Sequence, residues 1–294
     1  MKSLLVFASV LMAAIFSLPT LARAQQKKTP ELNRSPPLVR TTIRHELRRF
    51  AYGGTLSVIG APAGSITIEG WPRSEIDISA EIQLRADSEA DLDRLAAVNG
   101  FVVDEDSNHV RVLSMGTHDK VYMRSVAKKF PKTLLGLPWK IDYRIRVPIS
   151  TDLEVNAGRG PISLTGVEGN IRLTATESET NLKLSGGTLV VTIAIGKLNL
   201  NIPVRSWRGV GADIQIAAGE VSVELPAAFD GDLSAEILRS GQITDLYGGL
   251  EPLDSQGFTP QKIKARAGAG GASFQFIVGE GKIYIRKQTP EGKQ

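Results

Sequence analysis

Residues Leu153–Glu224 read LEVNAGRGPISLTGVEGNIRLTATESETNLKLSGGTLVVTIAIGKLNLNIPVRSWRGVGADIQIAAGEVSVE, and this stretch sets the architecture. Apolar residues recur in it as short alternating groups: Leu153/Val155, Ile162/Leu164, Ile171/Leu173, Leu182/Leu184, Leu189/Val191/Ile193, Leu198/Leu200, Ile214/Ile216 and Val221/Val223. Gly, Asn, Ser, Thr and Glu fill the intervals. From the first apolar residue of each group to the next, the steps are 9, 9, 11, 7, 9, 16 and 7 residues. A strand rises ~3.3 Å per residue, so each step holds a strand of about four to six residues and a tight turn. Nothing between Ser150 and Leu246 has the period of a crossover helix, which argues against an α/β sheet. Two all-β architectures remain, a β-solenoid in which each coil stacks on the last, or an antiparallel sandwich or barrel. Short repeating units with single Gly or Asn at the corners favour the single-chain solenoid. Its inward residues would form ladders along the axis while Glu, Lys, Asn and Thr face water.

The same alternation extends in both directions. Upstream lie the strand-like runs from Val39 to Phe50, Thr55–Ile59, Ser65–Glu69 and Glu75–Leu84, punctuated by Gly53-Gly54, Gly60–Gly64 and Gly70-Trp71-Pro72. Period-two alternation bounded by Gly and Pro is the pattern of half-buried strands. One helix interrupts it near residues 88–98: Ser88 is placed to cap, Glu89 and Asp91 favour the positive end of the helix dipole, and Asn99-Gly100 closes it. Phe101–Val103 and Val110–Leu113 predict a hairpin, and Ile141–Pro148 another strand. Downstream, Phe229–Ile237, Gln242-Ile243, Lys262–Ala265, Ser273–Ile277 and Lys282–Arg286 repeat the pattern, with Tyr247–Pro260 as loop. The expected folded domain is 39–287, followed by a disordered tail, 288–294.

These strand-and-turn motifs resemble the DUF4097 adhesin-like family. Gly53-Gly54-Thr55-Leu56, then Gly64-Ser65-Ile66-Thr67-Ile68-Glu69-Gly70-Trp71, is similar to the family's opening. Tyr143–Pro148, Gly160–Leu164 and Gly169–Leu173 resemble its internal repeats, and Gly270–Phe274 with Gly281–Ile285 its closing ones. The likeness spans roughly Phe50 to Arg286. It implies an exported, envelope-associated β-solenoid with no catalytic residues to carry over. The segment 115–139 has no counterpart in it.

Met1-Lys2-Ser3, the apolar run Leu4–Leu18 and Ala22-Arg23-Ala24 form a basic start, an apolar centre and a small-x-small cleavage site, the pattern of a secretory signal peptide over residues 1–24. The apolar run is about 15 residues, short of the roughly 20 that span a bilayer. Residues 25–38, with Pro30, Pro36 and Pro37, read as a disordered polar linker. The chain has no cysteine, which excludes disulfides, thiolate metal sites, a Cys nucleophile and a lipoprotein anchor. The expected location is periplasmic, extracellular or at the cell surface. Net charge is +4, and removing residues 1–24 takes away Lys2 and Arg23, leaving 33 basic against 31 acidic residues. So small an excess gives no footprint for nucleic acid.

No cofactor, metal or catalytic residue is expected. The histidines His45, His109 and His118 are scattered, and the adjacent pair His118-Asp119 reads as a polar turn. There is no Gly-x-Ser-x-Gly elbow. Gly268–Gly271 precedes a strand rather than a helix, so it lacks the helix N-terminus a phosphate loop needs. Three functions fit the sequence. The first is a non-enzymatic surface module binding an envelope glycan or protein. The second is a polysaccharide-active β-helix enzyme using outward carboxylates among Glu154, Glu168, Glu177, Glu179, Asp213, Glu220 and Glu224, two of which would need to lie about 5–9 Å apart. The third is an envelope-stress or scaffolding component whose end stacks on a partner or on itself, since exposed strand edges invite pairing. The irregular segment 115–139, rich in Lys and Arg with Phe130, Leu134, Leu135, Leu137 and Trp139, would either touch a membrane surface weakly or tuck under the domain.

Overall fold

A computed structural model describes residues 36–126, 130–255 and 257–289. The expected signal peptide, most of the linker and residues 290–294 lie outside the described residues. The chain is mostly β, with two short α-helices among the described residues, and its strands join into one large mixed sheet.

The organising feature is a set of long strands that run in parallel register and bend midway. β10 (Asn170–Lys183), β11 (Gly186–Asn201), β12 (Arg208–Leu225), β13 (Gly231–Leu246) and β16 (Ser273–Lys287) each carry two half-strands. The first halves pair on one face and the second halves on another. On the first face Leu153, Ile171, Leu189, Ala212, Phe274 and Leu233 are successive partners, as are Val155, Leu173, Val191, Ile214, Phe276 and Ala235. On the second face Ile66, Ile162, Thr180, Leu198, Val221, Ile283 and Ile243 line up in the same way. These inward rows are buried and form one continuous core. Each fully buried Ile or Leu contributes on the order of 2–3 kcal/mol by leaving water.

Two earlier strand pairs are split by glycines. β2 (Thr55–Ala63) and β8 (Asp152–Arg159) continue the first face, while β3 (Ile66–Trp71) and β9 (Ile162–Thr165) continue the second. Ile171 pairs with Leu153 and with Leu189, a register offset of 18 residues on either side. The 9-residue step in the sequence is thus half of the structural repeat. Each apolar group marks one face, and two groups make one bent strand.

The bend is made by stacked glycines. Gly196, Gly219, Gly281 and Gly241 are successive partners in the ladder, and their φ values of +149°, +148°, +143° and +142° are ones that L side chains rarely adopt. A Cβ at Gly219 would lie 1.8 Å from the carbonyl oxygen of Gly196. Only glycine lets the backbones approach this closely.

Both ends are finished by antiparallel strands. At one end β6 (His109–Met115) pairs with β2 and with β5 (Gly100–Asp106), the expected hairpin. β7 (Trp139–Pro148) pairs with β3 and with β4 (Glu75–Ala86), and β4 pairs with β1 (Leu38–Arg49). β1 therefore begins inside the expected linker. At the other end β15 (Lys262–Ala267) and β14 (Leu250–Pro252) close the first face, the latter inside the expected loop. The helix near 88–98 is α1 (Glu89–Ala96): the Ser88 hydroxyl accepts from Asp91 N, and Leu92 and Leu95 are buried.

Three expectations need correction. The stack does not follow chain order, because β16 inserts between β12 and β13. The reason is that the chain after β13 first builds β14 and β15, and the returning strand seats its Phe274 and Phe276 against Ala212 and Ile214. The segment 115–139 is not wholly irregular: it holds α2 (Lys120–Val126) and a 3₁₀ turn, Lys132–Leu134. The described tail residue Gln288 is anchored, donating through its side chain to Ile202 O and through its backbone to Leu225 O.

Candidate interaction surface

The bend that turns each strand also makes a groove. It is a depression of ≈ 530 Å³ lined from six strands, β8, β10, β11, β12, β16 and β13. Five inter-strand spacings give it a length of about 24 Å across the strands. One wall is the outward row Asn156, Thr174, Thr192, Gln215 and Ile277, successive partners in the ladder. The floor at the bend is made of small residues: Thr176, Ala194, Ala217 and Gly279. Bulk cannot fit here, since a Cβ at Gly279 would meet the carbonyl oxygen of Ala217 at 2.4 Å. Leu238 stands 62% exposed at one end, beside the Arg239–Glu280 ion pair. The wall thus offers hydroxyls and amides at four of its five positions, Arg239 brings a guanidinium to one end, and no aromatic ring lines the groove.

The second face is different. Glu179, Lys197, Glu220, Lys282 and Gln242 are successive partners on its outer side, alternating in sign. Beside them Asn199 donates to Asn181 at 2.9 Å. Neighbouring opposite charges on adjacent strands stabilise the stack modestly.

The carboxylates that sequence reading offered as catalytic are dispersed. Glu154 accepts from Ser57, Glu168 from Ser185 and Arg208, and Glu224 from Asn201. Glu177 pairs with Arg159, and Asp213 accepts from Gln215. Glu179 and Glu220 are two ladder positions apart, about 9.6 Å between backbones, and Lys197 stands between them. None of these acids lines the groove at the bend.

The cluster most like a hydrolase site is Ser57, His109 and Glu154. Ser57 Oγ lies 2.8 Å from His109 Nε2 and donates to Glu154 at 3.1 Å. A working triad needs the acid on the far nitrogen of the histidine. Here that nitrogen, Nδ1, faces the Arg111 guanidinium at 3.4 Å, and Ser57 is fully buried. The arrangement ties β2, β6 and β8 together.

The other histidines are similarly occupied. His45 Nε2 meets Asp77 Oδ1 at 2.5 Å, and Asp77 also accepts from Arg146. Burial works against ionisation of Asp77, but the bonds from His45 and Arg146 outweigh it and hold the carboxyl below its usual range. Arg146 and Arg73 pack on Trp71 at 4.7 and 4.9 Å. His118 is pushed below the ordinary histidine range by burial, its ring 5.3 Å from that of Trp139. Its neighbour Asp119 accepts from the backbone of Val121 and Tyr122, at the start of α2. The Gly268–Gly271 turn wraps a carboxylate of its own chain: Ala269 N donates to Asp230 at 2.9 Å. That bond and Arg205 hold Asp230 ionised to lower pH than usual. Among the described residues no three His, Asp or Glu side chains are grouped as metal ligands.

In 115–139 most apolar residues turn inward. Met123, Leu134 and Trp139 are buried and Phe130 and Leu137 pack partly against the core, while Val121 and Leu135 remain exposed. No helix among the described residues is long and apolar enough to cross a membrane.

The groove was not visible in the sequence, because its wall comes one residue at a time from strands whose register is set by the fold. No family model and no curated protein sequence matches the chain. Among solved structures it is similar to a candidate cell adhesion protein from Clostridium sporogenes, 14% identical over 84% of this chain and 100% of that one, with a TM-score of 0.45. A candidate adhesin from Bacteroides fragilis is 10% identical over 84% of this chain and 97% of that one, TM-score 0.31. A candidate lipid binding protein from Parabacteroides distasonis is 11% identical over 85% and 97%, TM-score 0.19.

Proposed function

We propose that this protein is a non-catalytic, exported surface module that holds an extended, uncharged envelope polymer, a glycan or wall strand, in the groove at the bend. The observation carrying this reading is the groove itself, where Asn156, Thr174, Thr192 and Gln215 repeat hydrogen-bonding groups over four adjacent strands. A polymer lying across the strands meets one such group at each ~4.8 Å step. A wall built on a continuous core loses little entropy when it binds. Export rests on the Met1–Ala24 pattern, and membership of the DUF4097 family on the glycine and strand motifs. The architecture beneath this proposal is a β-solenoid with two faces per coil, supported by the parallel register, the 18-residue offset and the glycine corners.

The test is retention of the purified protein on isolated peptidoglycan and envelope polysaccharide. Thr192→Arg, which fills the centre of the groove, should weaken retention by roughly tenfold or more, ~1.4 kcal/mol. Asn199→Arg, on the second face, should leave it unchanged. Equal retention of both variants with the unsubstituted protein would refute the assignment of the groove.

A further inference from the structure

The edge strand β1 is built to pair with a copy of itself. All twelve of its residues pair with β4, from Leu38↔Ala86 to Arg49↔Glu75, and no second strand flanks it among the described residues. Its backbone therefore presents a free ladder of donors and acceptors, the feature that templates strand addition. Successive side chains alternate. Val39, Thr41, Ile43, His45 and Leu47 share the outward side, opposite Arg85, Gln83, Glu81, Ser79 and Asp77 of β4. Val39, Ile43 and Leu47 are 53%, 67% and 49% exposed there.

The other side is already engaged with its own chain. Arg40 pairs with Glu89 and Asp93 of α1, Arg44 donates to Phe101 O, and Arg48 pairs with Glu46 and Glu105. Inward charge is one device that keeps edges from pairing at random. It also restricts which register a partner strand can take.

We propose that β1 forms an antiparallel pair with β1 of a second copy about a two-fold axis at Ile43. In this register Ile43 opposes Ile43, Val39 opposes Leu47 and Thr41 opposes His45, so the three exposed apolar residues of the outward side cover one another. On the opposite side Arg40 faces Glu46, Thr42 faces Arg44 and Leu38 faces Arg48. The neighbouring two-fold registers are worse. Centring on Thr42 sets Arg40 against Arg44 and leaves Ile43 on Thr41. Centring on Arg44 sets Arg44 on itself and Arg40 against Arg48. Like charges directly opposite are destabilising, and apolar pairs are favourable. The second copy is thus selected by both hydrophobic and charge complementarity, and the interface is isologous.

The chain lacks cysteine, which makes the register testable by cross-linking. Opposed residues have Cβ atoms about 4.5–5.5 Å apart, close enough for a disulfide after small adjustment. The protein is purified as the cell processes it, and its mass is followed by sedimentation across a dilution series. A concentration-dependent dimer is expected, and Ile43→Asp should weaken it by roughly tenfold or more. Mild oxidation should link Ile43→Cys to itself but not Val39→Cys to itself, while a mixture of Val39→Cys and Leu47→Cys should link across. Circular dichroism checks that each variant folds. A monomer at every concentration overturns the proposal. So does a monomer whose β1 amides are protected from exchange, which would place another segment of the same chain on the edge. So does a dimer that survives Ile43→Asp with no cross-link at position 43.

Discussion

Gly219→Ala should unfold the stack at its corner. The new Cβ would lie 1.8 Å from Gly196 O, whereas ordinary van der Waals contact begins near 3.4 Å, so the backbones would have to separate by 1.6 Å. Gly196 O cannot rotate away as a side chain would, because it belongs to a strand paired on both sides. The φ of +148° adds a second cost, since a non-glycine residue there is strained by ~1–3 kcal/mol. Together these give a loss of about 4 kcal/mol or more, in the range reserved for specific backbone or core damage. For a domain of this size that is a fall in Tm of roughly 10 °C. Gly53→Ala is the control. Its φ is +69° and nothing lies within 4 Å of the added carbon, so it bears the backbone strain without the clash. It should lose only ~1–2 kcal/mol. Thermal melts followed by circular dichroism compare the two. If Gly219→Ala melted with Gly53→Ala, the stacked-glycine account of the bend would be wrong.

Four further outcomes follow from named contacts. Tyr143 is fully buried and shares a 2.8 Å hydrogen bond with Ser114 Oγ, so Tyr143→Phe should cost ~1–2 kcal/mol in urea denaturation by stranding that hydroxyl. Burial raises the Tyr143 phenol above its ordinary range, so the folded state keeps a proton that the unfolded state releases, and its contribution to stability should fall as pH rises past ~10. Asp77 has the opposite sign: its folded pKa is depressed, so its contribution is present above the unfolded value of ~3.9 and is lost as pH falls through the folded one. Melts of Asp77→Asn should accordingly vary less with pH in the acid range than those of the unsubstituted protein. Finally, Val121→Asp should leave sedimentation with anionic vesicles unchanged, because Met123, Leu134 and Trp139 are committed to the interior; loss of vesicle binding would restore a membrane role for 115–139.

The inward half of this fold was legible because burial leaves a period of two in the sequence. Every apolar group from Leu153/Val155 to Val221/Val223 is inward and buried. What the pattern could not convey is how those groups connect. Leu189/Val191/Ile193 and Leu198/Leu200 read as two strands separated by a turn, yet they are one strand, β11, bent at Gly196. A glycine corner and a glycine turn look alike in sequence. Nor could it show that Phe274 and Phe276 return to cover Ala212 and Ile214, because that pairing spans 62 residues and depends on shape. The groove was hidden for a related reason. Thr174, Thr192 and Gln215 look like ordinary solvated positions until the register aligns them. The Ser57–His109–Glu154 cluster joins three strands distant in sequence and left no local motif.

The most direct test of the account is amide exchange on the protein with and without a saturating envelope polymer that retains it. Protection is predicted to rise around Asn156, Thr174, Thr192 and Gln215 and not around Asn181, Asn199 and Lys282 on the second face. Protection rising on the second face instead, with the groove unchanged, would contradict it.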